Sequence, residues 1–443
     1  MSVSGKGIFD QVEEAIRASK EAFQRFSYFS VREREDLVTK LRVVMLRHVE
    51  ELAIMEQEET GMGVAADKAV QITRAILGTP GPEKIRRETE SDEEGLFLEE
   101  SFAYGVSCAA HPVNHPAASI INCTIMLLSA GNSVIHLLPK RAEKVSCYTV
   151  RLLNSYISDI CGIGNLSVCM DESRYEYNKI FMEHPDTSLV VVTGGDDMVR
   201  SAMSLKKRVI AAGAANPVVI VDEIYDMARA ASQIMEDITF DNNLLCTSEK
   251  CAVVLSSVIQ ELGMALVNRG AYWLDAKQSD MLMRTVFDDD LCIRKEYVGK
   301  SAAELLAAAG IFAGNLGDFK ALFFETEVIS PFVLQEFAAP VLPIVRADTF
   351  EEALELAKFI EQDRNHTAGV FSNDVNHLSA ASRAMRTSVF VKNGSTLYAA
   401  GIKGSASVSF TIANVTGEGP VIPSHLIKRR KCMLINAFDQ NRR

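Results

Sequence analysis

Several signatures are missing from this sequence of 443 residues, and each absence removes a class of protein. No apolar run reaches the roughly 20 residues that a membrane-spanning helix needs. The nine cysteines include no C-x-x-C, and no cysteine–histidine cluster has zinc spacing. Neither a redox dithiol of that type nor a zinc module is therefore indicated. There is no G-x-G-x-x-G, so the common dinucleotide fingerprint is absent. Basic residues are in deficit: 46 Lys and Arg face 58 Asp and Glu, a net charge of −12, which argues against a nucleic-acid partner. The one basic run, "KRRK" at 428–431, is short and reads as a solvated face or a subunit contact. No secretory leader is legible in "MSVSGKGIFDQVEEAIRASKEAFQRF". The expectation is a cytoplasmic, reducing setting in which most cysteines are small core residues.

What is present is ordinary globular composition, 48% hydrophobic and 23% charged, in a chain long enough for two or three domains. Residues 8–77 read as helical, with Ile8, Val12, Ala15, Ile16, Ala22, Phe23 and Phe26 on one face of a first amphipathic helix and a stop at Gly61. "GLFLEESFAYGVSCAAHP" reads as extended and ends in a Pro-rich turn, "HPVNHP". Helical and extended patterns then alternate: "AASIINCTIMLLSAG" helix, "NSVIHLLP" strand, "AEKVSCYTVRLLNSYISDI" helix, "DTSLVVVTGG" strand, "DDMVRSAMSLKK" helix. Such alternation predicts an α/β fold with a parallel sheet. A second α/β unit starts near "AAGAANPVVIVDE" (211–223) and continues through "DMARAASQIMEDITF", "CAVVLSSV", "VLPIVRA" and "FEEALELAKFIEQ". The tail is turn-rich and β-like. No internal repeat or low-complexity linker separates the units, so they meet at short turns, and ligand sites favour such crevices.

Three stretches carry candidate chemistry. In "LVVVTGGDDMV" a strand ends at Thr193-Gly194-Gly195, where glycines admit a ligand to the backbone and the next helix offers N–H groups to a phosphate; alone these residues read first as a plain turn and second as a nucleotide site. In "HPVNHP", Asn114 has an amide able to donate to a developing oxyanion, and His111 and His115 could ligate a metal, although no third ligand is near in sequence. In "DNNLLCTSEK", Cys246 is a nucleophile or a core filler.

Together and in order, "EETGMG" (58–63), "TPG" (79–81), "SIINCTIMLLSAGNSVI" (119–135), "VVTGG" (191–195), "AAGAANPVVIVDE" (211–223), "FDNNLLCTSEK" (240–250), "PVLPIVRA" (340–347), "NHTA" (365–368), "FVKNG" (390–394) and "TGEG" (416–419) resemble the aldehyde dehydrogenase superfamily. The likeness is strongest to its CoA-acylating branch, the acetaldehyde and propionaldehyde dehydrogenases of bacterial microcompartments. The resemblance implies that Cys246 attacks the aldehyde carbon and that its backbone N–H and Asn114 hold the oxyanion. It implies NAD as hydride acceptor, contacted by Thr193, Gly194, Gly195 and Gly213, with Pro112 and Val113 flanking the nicotinamide and Glu336 holding its ribose. Hydrolytic members carry a glutamate base at the head of an E-L-G-G block; the matching residue is Ala211, so coenzyme A rather than water is the implied acyl acceptor.

Departures cluster near the implied site. The branch reads P-S-T-N-P where this chain has Pro112-Val113-Asn114-His115-Pro116, while Asn114 matches the asparagine of P-W-N-F-P in hydrolytic relatives. The aromatic usual two residues after the ribose glutamate is Ala338. Two alternatives stay open: a catalytically degenerate relative acting as a structural or regulatory partner, and an acyl-phosphate or semialdehyde reductase that would use NADPH without CoA. A catalytic Cys246 is expected to alkylate faster than the other eight cysteines. The implied fold has an NAD-binding domain at 1–84 and 104–213, a catalytic domain at 214–403, and oligomerisation elements at 85–103 and 404–443 that build a homodimer or homotetramer. The helical extension that targets some relatives into a microcompartment is not seen, so encapsulation beside shell or cargo proteins would need another signal.

Overall fold

The structure, a computed structural model, describes residues 7–86, 88–92, 95–312 and 314–435. Its apolar runs form two parallel sheets. The first has the spatial order Ile8–Phe9, Ser167–Met170, Ser133–Leu137, Val106–Ala110, Thr187–Thr193, Arg208–Ala212. Its central strands are buried along their whole length, which is why they read as continuous rather than alternating runs. Apart from the edge strand Ile8–Phe9, the chain starts this sheet at Val106–Ala110, builds outward on one side, then returns to lay Thr187–Thr193 on the other. A crevice is expected outside the carboxyl ends of those two strands, where the winding direction switches.

The second sheet has the order Ala271–Trp273, Ala321–Glu325, Val341–Ala347, Cys251–Leu255, Val218–Val221, Thr367–Phe371, Val389–Lys392, all parallel. Its core packs those strands against helices such as Met227–Thr239 and Phe350–Glu361.

Residues 8–77 are not all helical. Four helices, Val12–Phe26, Val31–Met45, Val49–Thr60 and Ala65–Gly78, follow a short strand. Ile8 is in that strand, pairing with Cys169, and Phe23 is only half-buried. Helical periodicity cannot distinguish a residue just before a helix from one inside it, and here Gly7, at φ 73°, turns the chain into the sheet. Ser30 starts the second helix with a reciprocal cap: its hydroxyl accepts from Glu33 N–H, and the Glu33 carboxylate accepts from Ser30 N–H.

Two segments expected to pair between subunits pair first with each other. Ile427–Ile435 runs antiparallel to Gly95–Ala103, which also pairs with Thr89–Asp92. Residues 87, 93–94 and 436–443 of those expected elements lie outside the described residues. The basic run is part of this strand: Arg429 pairs with Glu99 and Arg430 with Glu100, while Arg430 also covers Phe102 and Lys431 covers Phe97. The preceding stretch folds back on the first sheet. Ile412–Ala413 pairs with Gly419–Pro420, and Ala211 N–H donates to Thr416 Oγ1 at 3.0 Å.

Candidate active site

The carboxyl edge of the first sheet meets the amino edge of the second. From the first come the loops after Val106–Ala110, Thr187–Thr193 and Arg208–Ala212; from the second come Cys246, Glu336 and His366, each just upstream of a strand. Asn114 joins the two: its Nδ2 donates to Leu244 O at 2.8 Å, two residues before Cys246. The structure therefore brings the oxyanion candidate to the nucleophile loop.

That loop is an unusual piece of backbone. Asp241, Asn242 and Asn243 are consecutively left-handed, at φ 48°, 52° and 59°. Such a conformation costs on the order of 1 kcal/mol or more per residue and is tolerated best by Asp, Asn and Gly. Each residue is pinned. Asp241 Oδ1 accepts from Val64 N–H at 2.7 Å, and Oδ2 from Gln71 Nε2 at 2.7 Å. Asn242 Nδ2 donates to Gly299 O at 2.9 Å, and Asn243 Nδ2 to Glu249 O and Ala339 O, both at 3.1 Å.

Buried Lys68 ties Asn114 to this loop. Its Nζ donates to Glu56 Oε1 at 3.0 Å, Asp241 Oδ2 at 3.2 Å and the Asn114 carbonyl at 3.0 Å. Burial pushes Glu56 up to about 7 and Asp241 up to about 6, with Lys68 opposing both shifts. Sequence reasoning missed this cluster, although a signal existed. Helix Ala65–Gly78 buries Lys68, Gln71, Ile72, Ala75 and Ile76, so a lysine and a glutamine occupy an otherwise apolar stripe.

Cys246 is half-buried, and its thiol is pushed up to about 12 by burial and then by the Glu336 charge, while Lys250 opposes. Cys292 and Cys432 are the exposed thiols, and Cys246 is intermediate between them and the buried cysteines. Glu336 is raised by burial, opposed by Lys250 and by a hydrogen bond from Ala215 N–H. It therefore faces both Cys246 and Lys250.

The cofactor candidates divide. Pro112, Thr193, Gly194 and Gly195 line one cavity of about 440 Å³ at the switch point, with Leu137, Leu138 and Pro139 as apolar wall. A Cβ on Gly195 would meet nothing within 4 Å, so its backbone is open to a ligand. This fits a dinucleotide. Val113 instead packs into the helical core. Gly213 N–H donates to Asn414 Oδ1 at 2.9 Å, and a Cβ there would meet Val415 Cγ2 at 2.9 Å, so Gly213 serves close packing of the tail. A larger cavity of about 590 Å³ holds none of these residues; it is lined by Glu325, Glu327, Asp348 and Glu352 and by Arg346, which pairs with Glu325, so its excess of carboxylates disfavours phosphates.

His111 and His115 do not converge on a shared ligand. His111 Nε2 lies 2.8 Å from His136 Nδ1, and His115 Nδ1 lies 2.7 Å from Ser119 Oγ. Burial lowers both to about 3, so they are neutral. His366, given no role by sequence reasoning, is also buried and lowered to about 3, first by burial and then by the Lys250 charge. Ala211 is fully buried among Val190, Val192 and Val199, so no carboxylate enters from that strand.

A family model described as "Aldehyde dehydrogenase family" matches residues 6–407. A propanal dehydrogenase (CoA-propanoylating) of Citrobacter freundii is 36% identical over 99% of this chain and 94% of its own length. The structure of a propionaldehyde dehydrogenase from the Clostridium phytofermentans fucose utilisation bacterial microcompartment superposes with a TM-score of 0.94 at 35% identity, covering 97% of this chain and 98% of that one. A Rhodopseudomonas palustris propionaldehyde dehydrogenase, solved with bound CoA and an acylated cysteine, superposes with a TM-score of 0.95 at 34% identity, covering 98% and 99%.

Proposed function

We propose, from the premise that this chain belongs to the aldehyde dehydrogenase family, that it converts a short-chain aldehyde, NAD and CoA into acyl-CoA and NADH. The observation that carries the reading is the meeting of Asn114 with the Cys246 loop, beside a strand that has Ala211 where hydrolytic relatives carry their base. Full-length likeness to CoA-acylating relatives supports it.

Cys246 Sγ, as the thiolate, attacks the aldehyde carbon and gives a thiohemiacetal. Its oxyanion is held by Cys246 N–H and by the Asn114 amide. Pro112 and Thr193–Gly195 would hold NAD, with Glu336 on its ribose, and the bound cofactor would supply the hydride acceptor that the change from thiohemiacetal to thioacyl group on Cys246 requires. The CoA thiol then takes the acyl group and restores Cys246. A thiol needs less activation than water, which suits a site without the Ala211-position carboxylate. Acetaldehyde and propionaldehyde differ by one methylene, worth about 1–3 kcal/mol in a pocket. The domain assignment follows the two sheets, with residues 1–84 and 104–213 binding NAD and 214–403 bearing Cys246. We place the protein in the cytoplasm as a homodimer or homotetramer, inside a microcompartment where a shell is present.

The test is NADH formation from propionaldehyde and NAD, with and without CoA, in wild type and Cys246→Ala. CoA-dependent turnover that disappears in the variant is the expected result. Turnover independent of CoA would return a hydrolytic reading, with Glu336 as the base to examine. No turnover with either aldehyde and either nicotinamide cofactor would make the degenerate-partner reading lead.

A further inference from the structure

Lys250 lies four residues beyond Cys246 and is 1% exposed. Its Nζ donates to Asn243 O, Asn243 Oδ1 and Leu245 O, each at 2.8 Å. A protonated amine has three N–H groups, and all three point at oxygens of this one loop. Among the described residues it forms no ion pair, in contrast to Lys68, the other deeply buried lysine, which pairs with two carboxylates. A buried ammonium without an ion-pair partner is costly unless an anion forms nearby. The loop is the strained left-handed bend of Asp241–Asn243, and the carbonyls of Asn243 and Leu245 turned toward Nζ would repel one another without a cation between them.

We propose that Lys250 is a positioning residue that holds the Cys246 loop in its bend and supplies the fixed positive charge against which an anion forms at Cys246 Sγ. This rests on the reading of Cys246 as nucleophile. The groups that share the field are Glu336, Cys246, Glu249 and, from helix Met227–Thr239, Asp237, with His366 ahead of strand Thr367–Phe371. Glu336 competes with the thiolate for Lys250. Glu249 and Asp237 face each other, and the Asp237 carboxylate is already occupied by Ser395, Thr396 and Leu397. His366 is neutral and adds no charge.

The test compares two alkylating agents of nearly equal size and different charge, iodoacetate and iodoacetamide, with rates at Cys246 resolved by peptide mass spectrometry. Accessibility and thiolate fraction cancel in the ratio, and local charge does not. In Lys250→Met the iodoacetate-to-iodoacetamide ratio at Cys246 should fall about tenfold, while the ratio at Cys292 stays constant. Lys250→Gln, which keeps two donors for the loop carbonyls, should show the same fall. Wild type provides an arm that needs no variant to fold. Burial lowers Lys250 to about 8, so the ratio should drop between pH 7 and about 9.5. A purely structural lysine would change both rates together. A ratio constant within about twofold in the folded variants, or flat with pH in wild type, would overturn the proposal. An active Cys246→Ala enzyme would instead sink the nucleophile reading and leave the charge measurement standing.

Discussion

Asn114 holds the junction between the two sheets with a single amide. One N–H is engaged by Leu244 O, while Oδ1 is buried without a hydrogen-bond partner among the described residues. That leaves the second N–H available to an oxyanion. Asn114→Ala should lower kcat by about 10²–10³ and leave the KM for NAD within about twofold. A variant with wild-type kcat would remove Asn114 from the oxyanion site. Asp241 makes a different prediction. Its folded pKa, about 6, lies above the usual carboxylate value, so its protonation stabilises the fold at low pH, and that contribution is lost as pH rises through 6. Asp241→Asn keeps a residue tolerant of left-handed backbone and has no charge to bury. Its urea-unfolding stability relative to wild type should therefore improve between pH 4 and pH 7. A gap that widens against the variant over that range would show that the Lys68 contact outweighs the burial of charge.

Helix Asp196–Met203 shows how an element can be well placed and poorly charged. It starts at Gly195, its N-terminus opens beside the switch-point cavity, and a helix start favours anions. Yet its first turn carries Asp196 and Asp197, both exposed, with Asp197 3.5 Å from Arg200. These carboxylates complement the helix dipole and would repel a dinucleotide phosphate placed at the same end. Replacing both with serine should lower the KM for NAD by about two- to fivefold at low salt, with the gain fading as salt rises. An unchanged or higher KM would place the NAD phosphates away from this helix.

At the scale of the whole molecule, the two sheets make the site and the third sheet faces outward. Gly95–Ala103 is paired on both edges, but among the described residues the outer edges of Thr89–Asp92 and Ile427–Ile435 are unpaired. Phe102, Met433, Leu434 and Ile435 remain between 41% and 58% exposed. Open edges with apolar flanks seek partners. Light scattering at micromolar concentration should give the mass of two or four chains. Deleting residues 427–443 should lower that mass while the far-ultraviolet spectrum of the two parallel sheets persists. A monomeric wild type would show that these edges are closed in another way.

Apolar runs and turns made much of the fold legible before any tertiary contact was known. Thr187–Thr193 is a valine-rich run followed by two glycines, and Glu143–Cys161 carries apolar residues at helical spacing that dictate which face is buried, whereas Pro116–Ser129 is buried on every side and reads as a long apolar run. The two-residue strand Ile8–Phe9 and the four-residue strand Ser167–Met170 are too short to show a period, and only their pairing makes them strands. At the site, ordered sequence blocks pointed to Cys246, Asn114 and Glu336. The positions of Lys68 and Lys250 came from the tertiary structure alone. Lysine usually faces solvent, and nothing in "AADKAVQ" or "SEKCAVV" says that these two amines are enclosed. Their partners lie on different elements: Glu56, Asp241 and the Asn114 carbonyl around Lys68, and the folded-back carbonyls of Asn243 and Leu245 around Lys250. Sequence order could single out Cys246 as the candidate, but the field around it depends on distances between segments that only the folded chain brings together.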